Sequence, residues 1–407
     1  MKVLHIGTSD SGGAGKGMMN LHHALLEKGV DSKVLVAHKT TCDDSVFQAS
    51  QNHNLYAFSK NRFVRKLQKA FLERGIGQND LDRYRRQVEL IPEEHSVFFS
   101  FPLTRYDISN HPLVQEADII HLHWISDFVD YPSFFPNVRK KIVWTIRDIN
   151  PGCGGFHYEV VKDNYYSAVE DALVEIKKQS LHGMKNLHLV ALSDVMEKYC
   201  KENEILSAFP VTRINNLVNP GLYYSIDKTV AKKVLGIDES EFLVLFVAVS
   251  LADPLKNLEA VYAAVQKMNG PVKLVCVGRN DFFTSIPENV ICLGTLNNER
   301  LMSMVYSAAD VFVTPSKQES FGKTTVEALF CGTPVVSKKV GIAPEIINSQ
   351  NGVLVDAAAC DAIYEAIEEV RGKAYNGEEI RQKAIELFDP DRIVEAYKNL
   401  YADVLKG

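Results

Sequence analysis

The sequence predicts an α/β protein made of two doubly wound parallel-sheet domains that face each other across a cleft. Short Val/Ile/Leu runs, helical patterns between them, and the same grammar repeated in both halves of the 407 residues carry this prediction. Near-continuous apolar runs suit strands buried on both faces, as in parallel sheets covered by helices. Alternating β and α elements point to the same architecture.

In the N-terminal half, strands are expected at 2–6, 33–37, 118–122, 142–146 and 188–192. In the C-terminal half they are expected at 242–249, 272–277, 290–293, 310–314, 334–337 and 353–355. Helical patterns lie at 14–28, 257–267, 298–308 and 323–331. One sheet of so many strands is too wide for a compact domain, so the chain divides near 218–228, where Asn219-Pro220-Gly221 makes a turn. The expected domains are 1–222 and 223–388. The tail, 389–407, reads as an amphipathic helix returning to the N-terminal domain, with Ile393, Tyr397, Leu400, Tyr401 and Val404 at helical spacing. In open α/β sheets the ligand site lies beyond the carboxyl ends of the strands, so two facing sheets would share one deep site.

Composition narrows the function. With 45 basic and 51 acidic residues the net charge is −6, which gives no support for nucleic-acid binding. The 7 cysteines form no C-x-x-C pair, so neither a zinc ribbon nor a thioredoxin-like motif is indicated. An odd count without a framework fits a reducing compartment. No apolar run is long enough for a spanning helix, and the N-terminus does not read as a signal peptide, so a cytoplasmic protein is expected. Between 60 and 74, Lys60, Arg62, Arg65, Lys66, Lys69 and Arg74 surround Phe63, Val64, Leu67 and Phe71. This basic amphipathic pattern reads either as a solvated helix capping the sheet or as an interfacial helix drawn to anionic lipid at the inner membrane face.

Four stretches carry chemistry. Glu319-Ser320-Phe321-Gly322-Lys323-Thr324-Thr325-Val326-Glu327 follows an apolar strand and opens a helix. Unpaired amides and the helix dipole there favour phosphate, and two carboxylates suit the hydroxyls of sugar and ribose. Taken alone, the same residues also read as a helix-start charge and a surface glutamate. Lys256 stands at the start of the expected 257–267 helix, after the strand 242–249 and a Pro-bearing turn, placed to neutralise a diphosphate, or as a plain surface lysine. The Gly-rich turn Ser11-Gly12-Gly13-Ala14-Gly15 follows the first strand and lets backbone approach a ligand, although it is neither a dinucleotide fingerprint nor a P-loop. The fourth stretch comprises His121-Leu122-His123-Trp124 and Trp144-Thr145-Ile146-Arg147-Asp148, two strand ends entering loops. Two histidines two apart on a strand share a face, as metal ligands can. The sequence places no third ligand, and packing or acceptor contacts are the preferred reading.

The Glu319–Glu327 stretch resembles the E-x7-E motif of the retaining GT-B glycosyltransferases of family 4, in its E-S-F-G form, and Gly332-Thr333-Pro334 and Gly341-Ile342-Ala343-Pro344-Glu345 continue the pattern. The resemblance runs over nearly the whole chain, is densest from 290 to 356, and extends in style to bacterial capsule and exopolysaccharide enzymes. It implies two Rossmann-like domains. It also implies transfer of a hexose from a nucleoside diphosphate sugar to a saccharide or polyprenyl-linked acceptor, with retention at the anomeric carbon. Glu319 would contact the donor sugar, Glu327 the ribose, and the backbone from Ser320 through Thr324 the sugar and diphosphate. Gly12 and Gly13 would touch donor phosphate and acceptor. The sugar nucleotide is a substrate, so no cofactor is implied, and no metal is required.

Two departures stand out. Relatives carry an arginine beside the lysine, yet none lies between Phe242 and Lys256, leaving Arg279, after Gly278, to supply the second charge. Relatives also carry a histidine in the W-T-x-H-D stretch, where this chain has Arg147. An arginine is no base at neutral pH. Asp148 and His157 are then the other acid–base candidates, the leaving diphosphate can take the acceptor's proton, and Arg147 can bind an anionic acceptor group. On the acceptor side the candidates are His123, Arg147 and His157, with Asp148 as a catalytic candidate. A weakened sugar-nucleotide-binding subunit and a GT-B-type epimerase are the alternative functions, with an NAD-dependent dehydrogenase disfavoured by the missing fingerprint.

Overall fold

The computed structural model describes residues 1–51, 80–89, 99–159 and 167–407. The basic stretch at 60–74 lies outside the described residues. Among the described residues no helix is long and apolar enough to cross a membrane. The chain forms two compact units: Met1–Ala191, Met196–Ile214 and Ala396–Gly407 make the first, and Leu192–Val195 with Asn215–Glu395 the second.

The first unit is built on a 7-stranded sheet in the order β3-β2-β1-β4-β5-β6-β7. Its strands are β1 (Lys2–Ser9), β2 (Asp31–His38), β3 (Val46–Gln48), β4 (Ile119–Leu122), β5 (Lys141–Ile146), β6 (Leu187–Ala191) and β7 (Val211–Arg213). Every pairing is parallel. The edge strands β3 and β7 escape the sequence reading because at 3 residues each they show no apolar run.

The two faces of this sheet differ. On one, Leu4, Ile6, Ile120, Leu122, Ile142, Trp144, Leu189 and Ala191 pack into an apolar core with Phe128, Phe134 and Phe135. The alternate residues place His5 beside His121, His121 beside Val143, and Val143 beside His188, a polar row across four strands. Helix α1 (Gly12–Glu27) follows β1 and packs Met18 and Met19 on Val34 and Val36. The C-terminal helix, Pro390–Lys406, caps the row: Tyr401 Oη lies 2.6 Å from His121 Nδ1, and Thr145 Oγ1 lies 3.5 Å from Tyr397 Oη.

The second unit carries a 6-stranded sheet in the order β10-β9-β8-β11-β12-β13. Its strands are β8 (Phe242–Ser250), β9 (Val272–Arg279), β10 (Val290–Cys292), β11 (Val311–Thr314), β12 (Val335–Lys338) and β13 (Gly352–Val355). Both faces are apolar. Leu243, Leu245, Val275, Val277 and Phe312 enter one core. Val244, Phe246, Leu274, Cys276, Val311 and Val313 enter the other. This is the continuous apolar signature that parallel strands covered on both sides require.

Each sheet reverses its strand order once, between β1 and β4 in the first unit and between β8 and β11 in the second. At such a reversal the two following loops diverge, leaving a crevice beyond the carboxyl ends of the strands. The Gly-rich turn and His123-Trp124 leave β1 and β4. Lys256 and Glu319 leave β8 and β11. The Gly-rich turn, His123-Trp124, Lys256 and Glu319 therefore fall at the two reversal points, whereas Arg147 and Asp148 follow β5 and Arg279 ends β9, each one strand away.

Candidate functional site

In the second unit the Lys256 ammonium is hydrogen-bonded to Glu319 Oε1, joining the turn after β8 to the loop after β11. The turn is fixed locally: Asp253 accepts from the Leu255 amide, and Asn257 takes a left-handed φ of 64° while its side chain donates to the Ala358 carbonyl. A non-glycine residue in that region signals a conformation imposed by its surroundings. Both partners are half-buried, with side chains 30% exposed for Lys256 and 20% for Glu319.

The loop after β11 turns into helix α2 (Lys323–Phe330) through Gly322, whose φ of 89° suits glycine. Gly322 brings no capping side chain and the first turn holds no acidic residue, leaving the helix dipole open to an anion. Phe321 is buried against Phe388, the Phe321 carbonyl accepts from the Ile342 amide, and the Ser320 carbonyl accepts from Ser193 Oγ. These contacts hold the loop from three sides. Thr324 follows Lys323 in the first turn of α2, half-buried.

Glu327 is not a surface residue. It is 6% exposed, and its carboxylate accepts from Tyr223 Oη at 2.8 Å, Tyr306 Oη at 2.9 Å and the Lys323 ammonium at 3.2 Å. Tyr223 and Lys323 both use Oε1, so Oε2 keeps an acceptor position beside Tyr306 for a ligand hydroxyl. Gly278, next to last in β9, donates its amide to the Gly294 carbonyl at 2.9 Å. Arg279 is 68% exposed and bonded to Asp281, which also takes Ser250 Oγ and the Ala252 amide. Arg279 would have to leave Asp281 to serve a ligand at Lys256.

In the first unit a cavity of about 220 Å³ opens at the reversal point, lined by Gly7, Ser9, Ser11, Gly13, His123 and Trp124 among others. Gly12 and Gly13 open α1, whose Ser11 cap makes no side-chain bond to the helix amides. His123 is buried at 2% exposure beneath this turn.

Behind the cavity lies a histidine cluster that the sequence only half disclosed. His5 joins His121 and His123, with ligand-capable atoms of all three within 4.8 Å of one another. His5, a polar residue inside the apolar run of β1, was the signal for the missing third member. Burial, reinforced by the neighbouring charged groups, holds all three well below the ordinary 6.5, so they are neutral. Their protons can be assigned. Arg147 only donates, reaching His123 Nδ1 at 3.0 Å, so neutral His123 carries its proton on Nε2 and donates to His5 Nδ1 at 2.9 Å. The His5 proton then sits on Nε2, a buried atom without a hydrogen-bond partner among the described residues. Arg147, His123 and His5 thus form a directed hydrogen-bond chain ending in a donor, while His121 is occupied by Tyr401 and Thr145, and a cation would have to displace these bonds. A second group, His22, His23 and Asp43, has His22 occupied on both nitrogens by Ser32 and Ser45.

Burial lowers the Arg147 pKa to about 10, leaving the guanidinium charged at neutral pH. Asp148 accepts from Trp124 Nε1 at 2.6 Å, His157 Nδ1 at 2.6 Å and the Asn150 amide at 3.0 Å. His157 is 1% exposed, and its other nitrogen is 2.8 Å from Ser100 Oγ. His157 is thus buried between Asp148 and Ser100, while Asp148, 16% exposed, bonds Trp124, His157 and its own loop.

Comparison with known proteins follows this geometry. Residues 227–386, which include Lys256, Glu319 and Glu327, match the family described as Glycosyl transferases group 1. The chain is similar to D-inositol 3-phosphate glycosyltransferase of Segniliparus rotundus, at 37% identity over 158 residues, 35% of each chain. It is also similar to N-acetyl-alpha-D-glucosaminyl L-malate synthase of Bacillus anthracis, at 28% over 212 residues, 48% of this chain and 54% of that one. The matches thus span between a third and about half of these relatives' lengths. Among solved structures, sucrose-phosphate synthase from Thermosynechococcus elongatus superposes with a TM-score of 0.69 at 18% identity, covering 100% of both chains. Anabaena HepE in complex with UDP-glucose gives 0.65 at 16%, covering 99% of this chain and 100% of that one. At such identities the superpositions speak for the fold, which is GT-B.

Proposed function

Because residues 227–386 form a glycosyl transferases group 1 domain on a GT-B fold, we propose that this protein is a retaining hexosyltransferase using a nucleoside diphosphate sugar. The observation that carries the reading is the Lys256–Glu319 pair at the strand-order reversal, beside the uncapped N-terminus of α2. A diphosphate leaving group gathers negative charge as the anomeric C–O bond breaks. Lys256 and the first amides of α2 are preorganised donors for that charge. Glu319 releases Lys256 to the diphosphate and accepts from the donor-sugar hydroxyls, while Glu327 Oε2 accepts from the ribose.

The acceptor is a saccharide or lipid-linked saccharide bound at the Gly-rich turn of the first unit. Its hydroxyl attacks the anomeric carbon from the face the diphosphate leaves, and its proton passes to the departing phosphate oxygen. No protein base is needed in this route, which agrees with Arg147 standing where relatives carry histidine and with the buried placement of His157. Arg147, charged and beside His123, supports an anionic group on the acceptor.

A transfer assay with a panel of sugar nucleotides and saccharide acceptors tests the reading. The expected product keeps the anomeric configuration of the donor, seen by proton NMR of the new linkage. An inverted linkage contradicts retention. Nucleotide binding without turnover over the whole panel favours the alternative of a sugar-nucleotide-binding subunit, which the two motif departures motivate.

A further inference from the structure

The loop from Asp148 to His157 is held by two charged side chains that no motif predicts. Glu170 and Lys177 lie seven residues apart on the helix Ser167–Leu181, so both fall on one helix face. Each is 1% exposed. Glu170 accepts from consecutive loop amides, Gly154 at 2.6 Å and Gly155 at 2.8 Å. Lys177 donates to the Asn150 carbonyl at 2.5 Å and to Asn150 Oδ1 at 3.1 Å, with its ammonium 5.3 Å from the centre of the Tyr131 ring. Asn150 in turn donates to the Gly155 carbonyl at 2.8 Å, closing the loop on itself.

Burying a charge costs several kcal/mol unless its partners are well placed. Here the acid and the base are each spent on neutral partners: Glu170 on two main-chain amides, Lys177 on the carbonyl and side chain of Asn150. A helix and a loop can be joined by apolar packing alone, whereas a satisfied buried polar network fixes one geometry. The fit is close: a Cβ at Gly154 would come within 2.3 Å of the Glu170 carbonyl oxygen. What the loop presents is Asp148, and Asp148 receives the indole N–H of Trp124, a wall of the 220 Å³ cavity.

We propose that Glu170 and Lys177 are positioning residues that set the 148–157 loop and, through the Asp148–Trp124 hydrogen bond, the wall of the cavity at the Gly-rich turn. The proposal rests on reading that cavity as a substrate site.

The test uses Lys177→Met in the full chain, which keeps the length of the buried stem and removes the donor. Of the two tryptophans Trp144 is fully buried, so acrylamide-accessible emission reports Trp124. In Lys177→Met the quenching constant rises about twofold or more as the loop opens locally, while the far-UV circular dichroism and the affinities for UDP and GDP stay at wild-type values. Nucleotide release from UDP-glucose, UDP-N-acetylglucosamine and GDP-mannose then falls about tenfold or more, as a displaced wall demands. If Lys177→Met does not fold, Glu170→Gln is measured in the same way, since it retains one acceptor for the loop amides. Unchanged quenching and unchanged turnover in the folded variant overturn the proposal. If wild type releases nucleotide from none of these donors, the transferase reading is what fails. The quenching comparison then still decides for or against the positioning role.

Discussion

Lys256 donates to Glu319 across the reversal point of the second sheet, so the cation and the carboxylate neutralise each other. On the proposed function, a nucleoside diphosphate sugar would replace this one ion pair with two contacts, its phosphate on Lys256 and its hydroxyls on Glu319. Lys256→Met removes the cation and leaves Glu319 facing the phosphate. Hydrogen bonds to charged groups contribute about 1.5–3 kcal/mol, so nucleotide affinity should fall about tenfold to a hundredfold by isothermal titration. Glu319→Gln should keep the affinity for the bare nucleotide and lose that for the sugar nucleotide. Equal effects on both ligands would refute this division of labour.

Glu327 holds two tyrosines, and replacing it strands one of them. In Glu327→Gln one hydroxyl keeps the amide oxygen while the other meets the amide nitrogen and loses its acceptor. The expected cost is about 1–3 kcal/mol of folding stability in urea denaturation. A stability equal to wild type would mean that the carboxylate serves only the ligand.

Acid should destabilise the first unit through its histidines. Burial lowers the His22 pKa from 6.5 to about 4, so between these values the unfolded chain binds a proton that the folded one refuses. Stability is then retained above pH 6.5 and lost as pH falls towards 4, by up to about 3 kcal/mol from this residue. His5, His121 and His123, also lowered by burial, add in the same direction. His22→Gln should flatten the slope of stability against pH in this window, measured by urea midpoints from pH 7 downwards. An unchanged slope would assign the acid lability to other groups.

Tyr401 bonds His121 at 2.6 Å from the C-terminal helix. Tyr401→Phe leaves a ring nitrogen buried without its partner, at a cost of about 1–3 kcal/mol. Affinity for UDP or GDP should not change, because the helix segment Ala396–Gly407 belongs to the first unit. A loss of nucleotide affinity without loss of stability would show that this helix acts on the donor site instead.

The sequence disclosed the strands well because parallel strands buried on both faces are continuous apolar runs, as in Phe242–Ser250 and Val272–Arg279. The Glu319–Glu327 stretch was legible because Glu319, Gly322 and Glu327 lie within one strand-turn-helix. The sequence could not disclose what depends on contacts far apart in the chain. His5 meets His123 across 118 positions, and Lys256 meets Glu319 across 63. The partners of Asp148 and His157 were illegible for the same reason: a carboxylate and an imidazole read alike whether they face a ligand or each other, Trp124 and Ser100. Glu170 and Lys177 sat within an ordinary amphipathic helix, where charges usually mark the solvent side.

The central claim, that the second unit binds a nucleoside diphosphate sugar at Lys256 and Glu319, is tested most directly by thermal unfolding with nucleoside diphosphates and their sugars. At a hundredfold excess over Kd, binding should stabilise the fold by about 2.7 kcal/mol. The account predicts an upward Tm shift with at least one such ligand and its loss in Lys256→Met. No shift with any nucleoside diphosphate or sugar nucleotide would contradict it.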